Sequence, residues 1–174
     1  MTRMDGPRLH ITAGMRRILD YPKFKGPPRM LILGTEYFFD ASWTRAAERL
    51  GWECETVRSA YRGSLTREDI GQLFTALGGF KPDFVLASNY AGMDTEGMFS
   101  RFFEDARIPY VSWFTDTPRM ILFGRKMYPH PYAVAATWER GYIPHLKGLG
   151  FEHVQFMPLA TDPALFAGAP AETF

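Results

Sequence analysis

The sequence predicts an α/β protein: a doubly wound, mainly parallel open sheet of about six strands with helices on both faces, Rossmann-like in plan. Three observations lead there. Short and nearly continuous apolar runs, of which Met30-Leu31-Ile32-Leu33-Gly34 is the first, have the pattern of strands buried on both faces. Between these runs lie segments whose apolar residues recur at the spacing of one helical face. The two patterns alternate about every 25 to 30 residues, as βαβ units do, and six units are too few for an eight-stranded barrel.

Each element has its own signals. Residues 1–28 carry Asp5-Gly6-Pro7, Pro22 and Gly26-Pro27-Pro28. These interrupt any long element, so the segment reads as an extension packed on the domain, with Leu9–Ala13 as a possible short strand. After the first strand, Asp40 offers a helix cap, and Trp43, Ala46, Ala47 and Leu50 share one helical face. Gly51 ends that helix before a strand over Glu53–Arg58. Thr66 and Asp69 have capping-box spacing; Ile70, Leu73, Phe74 and Leu77 form the next stripe, and Gly78-Gly79 stops it before the strand Asp83–Ser88. A third helix turns Met98, Phe99, Phe102 and Phe103 to the core. Strands over Pro109–Phe114 and Ala133–Thr137 follow, then a short helix over Tyr142–Leu149 and a last strand over His153–Met157. Met120, Phe123 and Met127 read as ordinary apolar packing. No sequence repeat or low-complexity segment interrupts the series.

A chain of 174 residues fits one domain with a sizeable core, and 46% hydrophobic residues, including 15 Phe, 8 Tyr and 4 Trp, argue against disorder. Twenty basic against 19 acidic residues leave a net charge of +1, which supplies no general pull toward nucleic acid or an anionic membrane. The single cysteine, Cys54, cannot form an internal disulfide and reads as a half-buried strand thiol, which fits a reducing compartment. No apolar signal core and no membrane span are evident, so a cytoplasmic location is expected.

In an open parallel sheet, ligands bind beyond the carboxyl ends of the strands, near the point where strand order reverses. That rule selects the loops Gly34–Phe38, Ser88–Gly92, Thr115–Arg119 and Thr137–Arg140, each of which sets polar groups beside aromatic rings. The mixture suits sugars, whose hydroxyls need hydrogen bonds while their CH faces pack on rings. Asp116 and Glu36 are the candidate catalytic carboxylates. Asp116 follows a buried strand closely enough to take a proton from an incoming hydroxyl, or else is a turn residue capping the next helix. Asn89, Tyr90, Thr115, Arg119, Trp138 and Glu139 are the candidate substrate-binding residues. Asn89 also favours left-handed turns, Arg119 could hold a phosphate or simply pair with an acid, and Trp138 and Glu139 could equally pack and cap the last helix. The sequence lacks the G-x-G-x-x-G, G-x-x-x-x-G-K-[ST], G-x-S-x-G and H-E-x-x-H motifs, which counts against a nucleotide-binding dehydrogenase, a P-loop enzyme, an α/β-hydrolase and a zinc protease. His10, His130, His145 and His153 are scattered without metal-ligand spacing and read as surface or packing histidines.

Three segments carry a family resemblance: Trp113-Phe114-Thr115-Asp116-Thr117-Pro118-Arg119, the Trp138–Phe151 stretch W-E-R-G-Y-I-P-H-L-K-G-L-G-F, and Met157-Pro158-Leu159-Ala160-Thr161-Asp162-Pro163-Ala164-Leu165-Phe166. Over about residues 29–166 the chain resembles the amino-terminal half of CgeB-like (spore-maturation-type) glycosyltransferases. The resemblance implies a GT-B enzyme in which a first Rossmann-like domain receives a carbohydrate or glycosylated acceptor. A second, carboxyl-terminal domain, missing from this chain, would bind the nucleotide-sugar donor, and transfer would be metal-independent. No cofactor is then expected on this domain. Residues 29–166 would form the acceptor-side domain and Ala167–Phe174 a linker or tail, with 158–166 held on the domain by Leu159, Leu165 and Phe166. Where the family often has paired acids before proline, this chain has Thr115, Asp116 and Thr117 ahead of Pro118. Two other functions fit the same residues: a non-catalytic module that binds carbohydrate or protein, and a complete small-molecule enzyme using the loop carboxylates.

Overall fold

A computed structural model describes residues 7–36, 38–59 and 66–163. Among the described residues six parallel strands form one sheet: β1 (Arg29–Gly34), β2 (Glu53–Arg58), β3 (Phe84–Ser88), β4 (Tyr110–Phe114), β5 (Ala133–Thr137) and β6 (His153–Phe156), in the spatial order β2-β1-β3-β4-β5-β6. The helices are α1 (Ala13–Leu19), α2 (Phe38–Arg49), α3 (Arg67–Gly79), α4 (Met98–Ala106), α5 (Pro118–Leu122) and α6 (Ile143–Gly148), the last entered through a 3-10 turn over Arg140–Tyr142. The fold is the doubly wound α/β sheet expected from the alternating patterns.

The two faces of the sheet are covered unequally. Right-handed crossovers put α2 on one face and the later helices on the other. Leu31, Leu33, Val85, Ala87, Tyr110, Phe114, Ala133 and Ala135 project from the strands into the larger core, where Leu73 and Leu77 of α3, Phe99, Phe102 and Phe103 of α4, Ile121 and Leu122 of α5 and Leu146 of α6 meet them. The other face offers Met30, Ile32 and Leu86 to a smaller cluster under Trp43 and Ala47 of α2. Ala46 and Leu50, expected on that same buried stripe, are exposed, because α2 meets the sheet only along the line of Trp43 and Ala47.

Three further departures from the sequence reading have local causes. Leu9–Ala13 forms no strand. Instead, Thr12 caps α1, its hydroxyl accepting from the Met15 N–H at 3.2 Å, and the helix buries Leu19 against the main core. Pro118 opens α5, a helix that orients Ile121 and Leu122 inward and leaves Met120 and Phe123 exposed at 76% and 88%, so of the three residues read as packing only Met127 touches the core. Leu159 is also exposed. Residues 157–163 are held by polar contacts instead: the Trp113 indole N–H donates to the Met157 carbonyl at 3.0 Å, and Asp162 accepts from Arg45 of α2, with Nε at 2.8 Å. Leu165, Phe166 and the expected tail Ala167–Phe174 lie outside the described residues.

The capping box on α3 is present in full: the Thr66 hydroxyl accepts from the Asp69 N–H at 3.1 Å, and Asp69 accepts from the Thr66 N–H at 2.8 Å and its hydroxyl at 2.7 Å. These bonds hold the Asp69 carboxyl below its ordinary pKa, chiefly through the Thr66 hydroxyl. The stability they contribute is therefore present above the unfolded value of about 3.9 and is lost as pH falls through the lowered folded value. Thr66→Ala is expected to cost about 1 kcal/mol at neutral pH, with the deficit shrinking in acid. Denaturant titrations at neutral and acid pH measure both effects, and a deficit independent of pH would contradict the reciprocal cap.

Candidate functional site

The strand order reverses between β1 and β3, so the crevice predicted for ligands lies beyond the carboxyl ends of those two strands and their neighbour β4. β3 ends in two consecutive left-handed residues, Asn89 at φ 48° and Tyr90 at φ 63°. Asparagine adopts that conformation readily, whereas an aromatic residue there is strained by about 1 kcal/mol or more. The strain is offset by bonds on both sides. The Asn89 N–H continues the ladder to the Trp113 carbonyl at 3.0 Å, and the Tyr90 N–H donates to the Ser112 hydroxyl at 2.9 Å.

This turn sends the two side chains in different directions. Tyr90 swings into the main core, 4% exposed, edge-on to Tyr110 and stacked on Phe114. Burial pushes its phenol up to about 12, so it is a neutral packing residue beneath the site. Asn89 reaches across to the loop after β4. Its Oδ1 accepts from the N–H groups of Thr115 and Asp116 at 2.9 and 3.0 Å, and its Nδ2 donates to Thr115 Oγ1 at 3.0 Å and Asp116 Oδ2 at 2.8 Å. Both donors and both acceptor positions of the amide are thus used, and the two backbone donors fix which end is oxygen.

The clamp leaves Asp116 exposed at the rim with its carboxylate oriented. Thr117 continues the rim, its hydroxyl 3.2 Å from the Tyr142 hydroxyl, and Pro118 starts α5 with Arg119 exposed in the next position. After β5, the Glu139 N–H meets the Thr137 hydroxyl at 3.3 Å, leaving the Glu139 side chain and the indole of Trp138, 38% exposed, at the surface.

Glu36 lies on the other flank of the crevice. The Asp40 carboxylate, in the first turn of α2, accepts from the Thr35 and Glu36 N–H groups at 2.9 and 3.0 Å. Glu36 itself is left-handed at φ 60° and pairs with Arg58, the last residue of β2, at 3.2 Å. Both partners are mostly exposed, so that ion pair contributes little to stability. With Ser59, Thr66 and Gln72 they line a polar cleft of about 450 Å3. The structure therefore brings Asn89, Thr115 and Asp116 into direct contact and engages Glu36 toward β2. Gly92 lets the intervening loop lie against β1: a Cβ there would sit 2.5 Å from Leu33 Cδ1 and 3.1 Å from Ser59 Oγ. Ser59 and Ser112 carried no sequence signal, since each is a lone serine in or just past a strand; Asp40 was legible as a cap, though not as the anchor of the Thr35-Glu36 turn. Among the described residues no three His, Cys, Asp or Glu side chains gather as a metal-binding group.

No protein-family model matches this chain, and no curated protein does. Among solved structures it is similar to the anti-anti-sigma factor PhyR from Bartonella quintana, at 18% identity and a TM-score of 0.40. That likeness covers 64% of this chain, which spans 42% of the PhyR chain, and at this level it bears on neither partner nor activity. Among the described residues no helix is long and apolar enough to cross a membrane.

Proposed function

We propose that this domain is the acceptor-binding half of a GT-B-type glycosyltransferase, taking a carbohydrate or glycosylated acceptor at the carboxyl ends of β3, β4 and β5. The observation that carries the reading is the Asn89 clamp, which fixes an exposed carboxylate one residue past Thr115, beside the point where strand order reverses. In this reading Asp116 takes the proton of the acceptor hydroxyl, and the exposed Trp138 indole supplies a surface for the CH face of a sugar. The nucleotide-sugar donor binds a second domain, so this domain alone binds saccharides weakly and transfers none. A second reading, a non-catalytic carbohydrate- or protein-binding module, is favoured by the same clamp, because two of its four bonds give Asp116 a structural role even without chemistry.

An amide-resolved NMR titration with neutral oligosaccharides tests the assignment. Shifts confined to Asn89, Thr115, Asp116 and Trp138, with Kd on the order of millimolar for a half-open cleft, are expected. Asp116→Asn should leave that binding within a few fold if Asp116 is a base, and abolish it if Asp116 is a ligand of the module. Shifts elsewhere, or turnover of nucleotide sugars by the isolated chain, would sink the assignment.

A further inference from the structure

At the opposite end of the sheet, beside the amino ends of β4 and β5, a cleft of about 520 Å3 collects four cations. Arg16 and Arg17 come from the last turn of α1, Lys23 from the segment after it, and Arg107 from the residue capping α4. Two carboxylates share the cleft. Asp105 is already engaged by Arg8, whose Nη1 donates to both its oxygens at 3.0 and 3.1 Å, which leaves Asp20 to face four positive charges.

Helix ends account for part of this arrangement. The carboxyl ends of α1 and α4 each bring about half a negative charge, which attracts basic residues one at a time. Together with Asp20 they still leave an excess of about two positive charges in one cleft. Among the described residues none of the four cations forms an ion pair within 4 Å; Lys23 instead lies over the Tyr21 ring at 4.2 Å. Burial pushes the Lys23 ammonium below its ordinary pKa, and Arg107 adds to that, although Asp20 and Asp83 act the other way. An anion seated in the cleft would offset the excess positive charge and favour the charged ammonium.

We propose that this cleft binds a small phosphate-bearing molecule carrying at least two negative charges, at a site separate from the strand-end crevice. Guanidinium groups match phosphate oxygens bidentately, and the volume lies in the range of small-ligand sites. A nucleic acid would instead call for a basic stripe along an open face, whereas these cations converge on a single cleft in a chain of net charge +1.

Arg107 makes the test clean. It sits at φ 52°, a left-handed position that asparagine also adopts, so Arg107→Asn removes the charge without straining the backbone. Titration calorimetry of the whole chain with inorganic pyrophosphate should show saturable one-site binding. Affinity should fall about tenfold in Arg107→Asn, the value of one charge-assisted hydrogen bond, and similarly in Arg17→Gln. Arg49→Gln, on the exposed surface of α2, should change it less than about twofold. The proposal is overturned if pyrophosphate does not bind, if Arg107→Asn binds as the parent does, if Arg49→Gln weakens binding equally, or if duplex RNA or anionic vesicles bind and pyrophosphate fails to compete.

Discussion

Replacing Asn89 by alanine is expected to lower the unfolding free energy by about 3 kcal/mol. The substitution deletes four hydrogen bonds that tie the end of β3 to the loop after β4, and each such bond is worth about 1 kcal/mol net. Water reaches the exposed Asp116 side of the clamp and returns part of that loss. Alanine at φ 48° then adds about 1 kcal/mol of backbone strain that asparagine tolerates. Asn89→Gly removes the side chain while relieving the backbone, so it should fall about 1 kcal/mol short of the alanine variant. Urea unfolding with an unchanged slope measures both, and a cost below about 1 kcal/mol for Asn89→Ala would show that the amide does not hold the loop.

Trp113→Ala is expected to cost about 4 kcal/mol, within the range for removing a buried large aromatic side chain. The indole is 6% exposed, with its ring centroid 5.6 Å from Phe39 and 5.9 Å from Trp43 of α2, and its N–H holds the Met157 carbonyl. Trp113→Phe keeps most of the packing and loses that bond, so about 1 kcal/mol is expected. Hydrogen exchange separates the two contributions. The Met157 amide, bonded to the Thr137 carbonyl at 2.9 Å, should exchange faster in both variants, and unchanged exchange there would mean that the indole does not position the strap.

The four central strands, β1, β3, β4 and β5, were legible because they are buried on both faces. Their apolar runs could serve little else, and the expected spans of Asp83–Ser88 and Pro109–Phe114 differ from β3 and β4 by one residue each; the edge strand β6, largely exposed, differs from the expected His153–Met157 by one as well. α1 was hidden by its seven residues between proline-rich flanks, and α5 by having only five. The aromatic α4 was plain, since Phe99, Phe102 and Phe103 repeat at helical spacing and all three are buried. The candidate site was legible as a set of loops and not as a constellation. Asn89 and Asp116 are 27 residues apart, and only the adjacency of β3 and β4 makes them partners. Tyr90 looked like a ligand-facing ring because nothing in the sequence reveals that its backbone turns left-handed and carries the ring inward.

The strap from Met157 to Pro163 has a kinetic consequence. Its link between Arg45 and Asp162 spans 117 residues and joins the last segment described to a helix near the start, so it can close only after all six strands have assembled. Contacts of such long sequence separation are absent from an early folding nucleus, because loop closure must precede any gain from them. Interactions that form after the transition state slow unfolding and leave the folding rate nearly unchanged. Weakening the strap, for example by Arg45→Gln, should therefore raise the unfolding limb's intercept while the refolding limb stays in place: the strap acts as a latch on the lifetime of the native state.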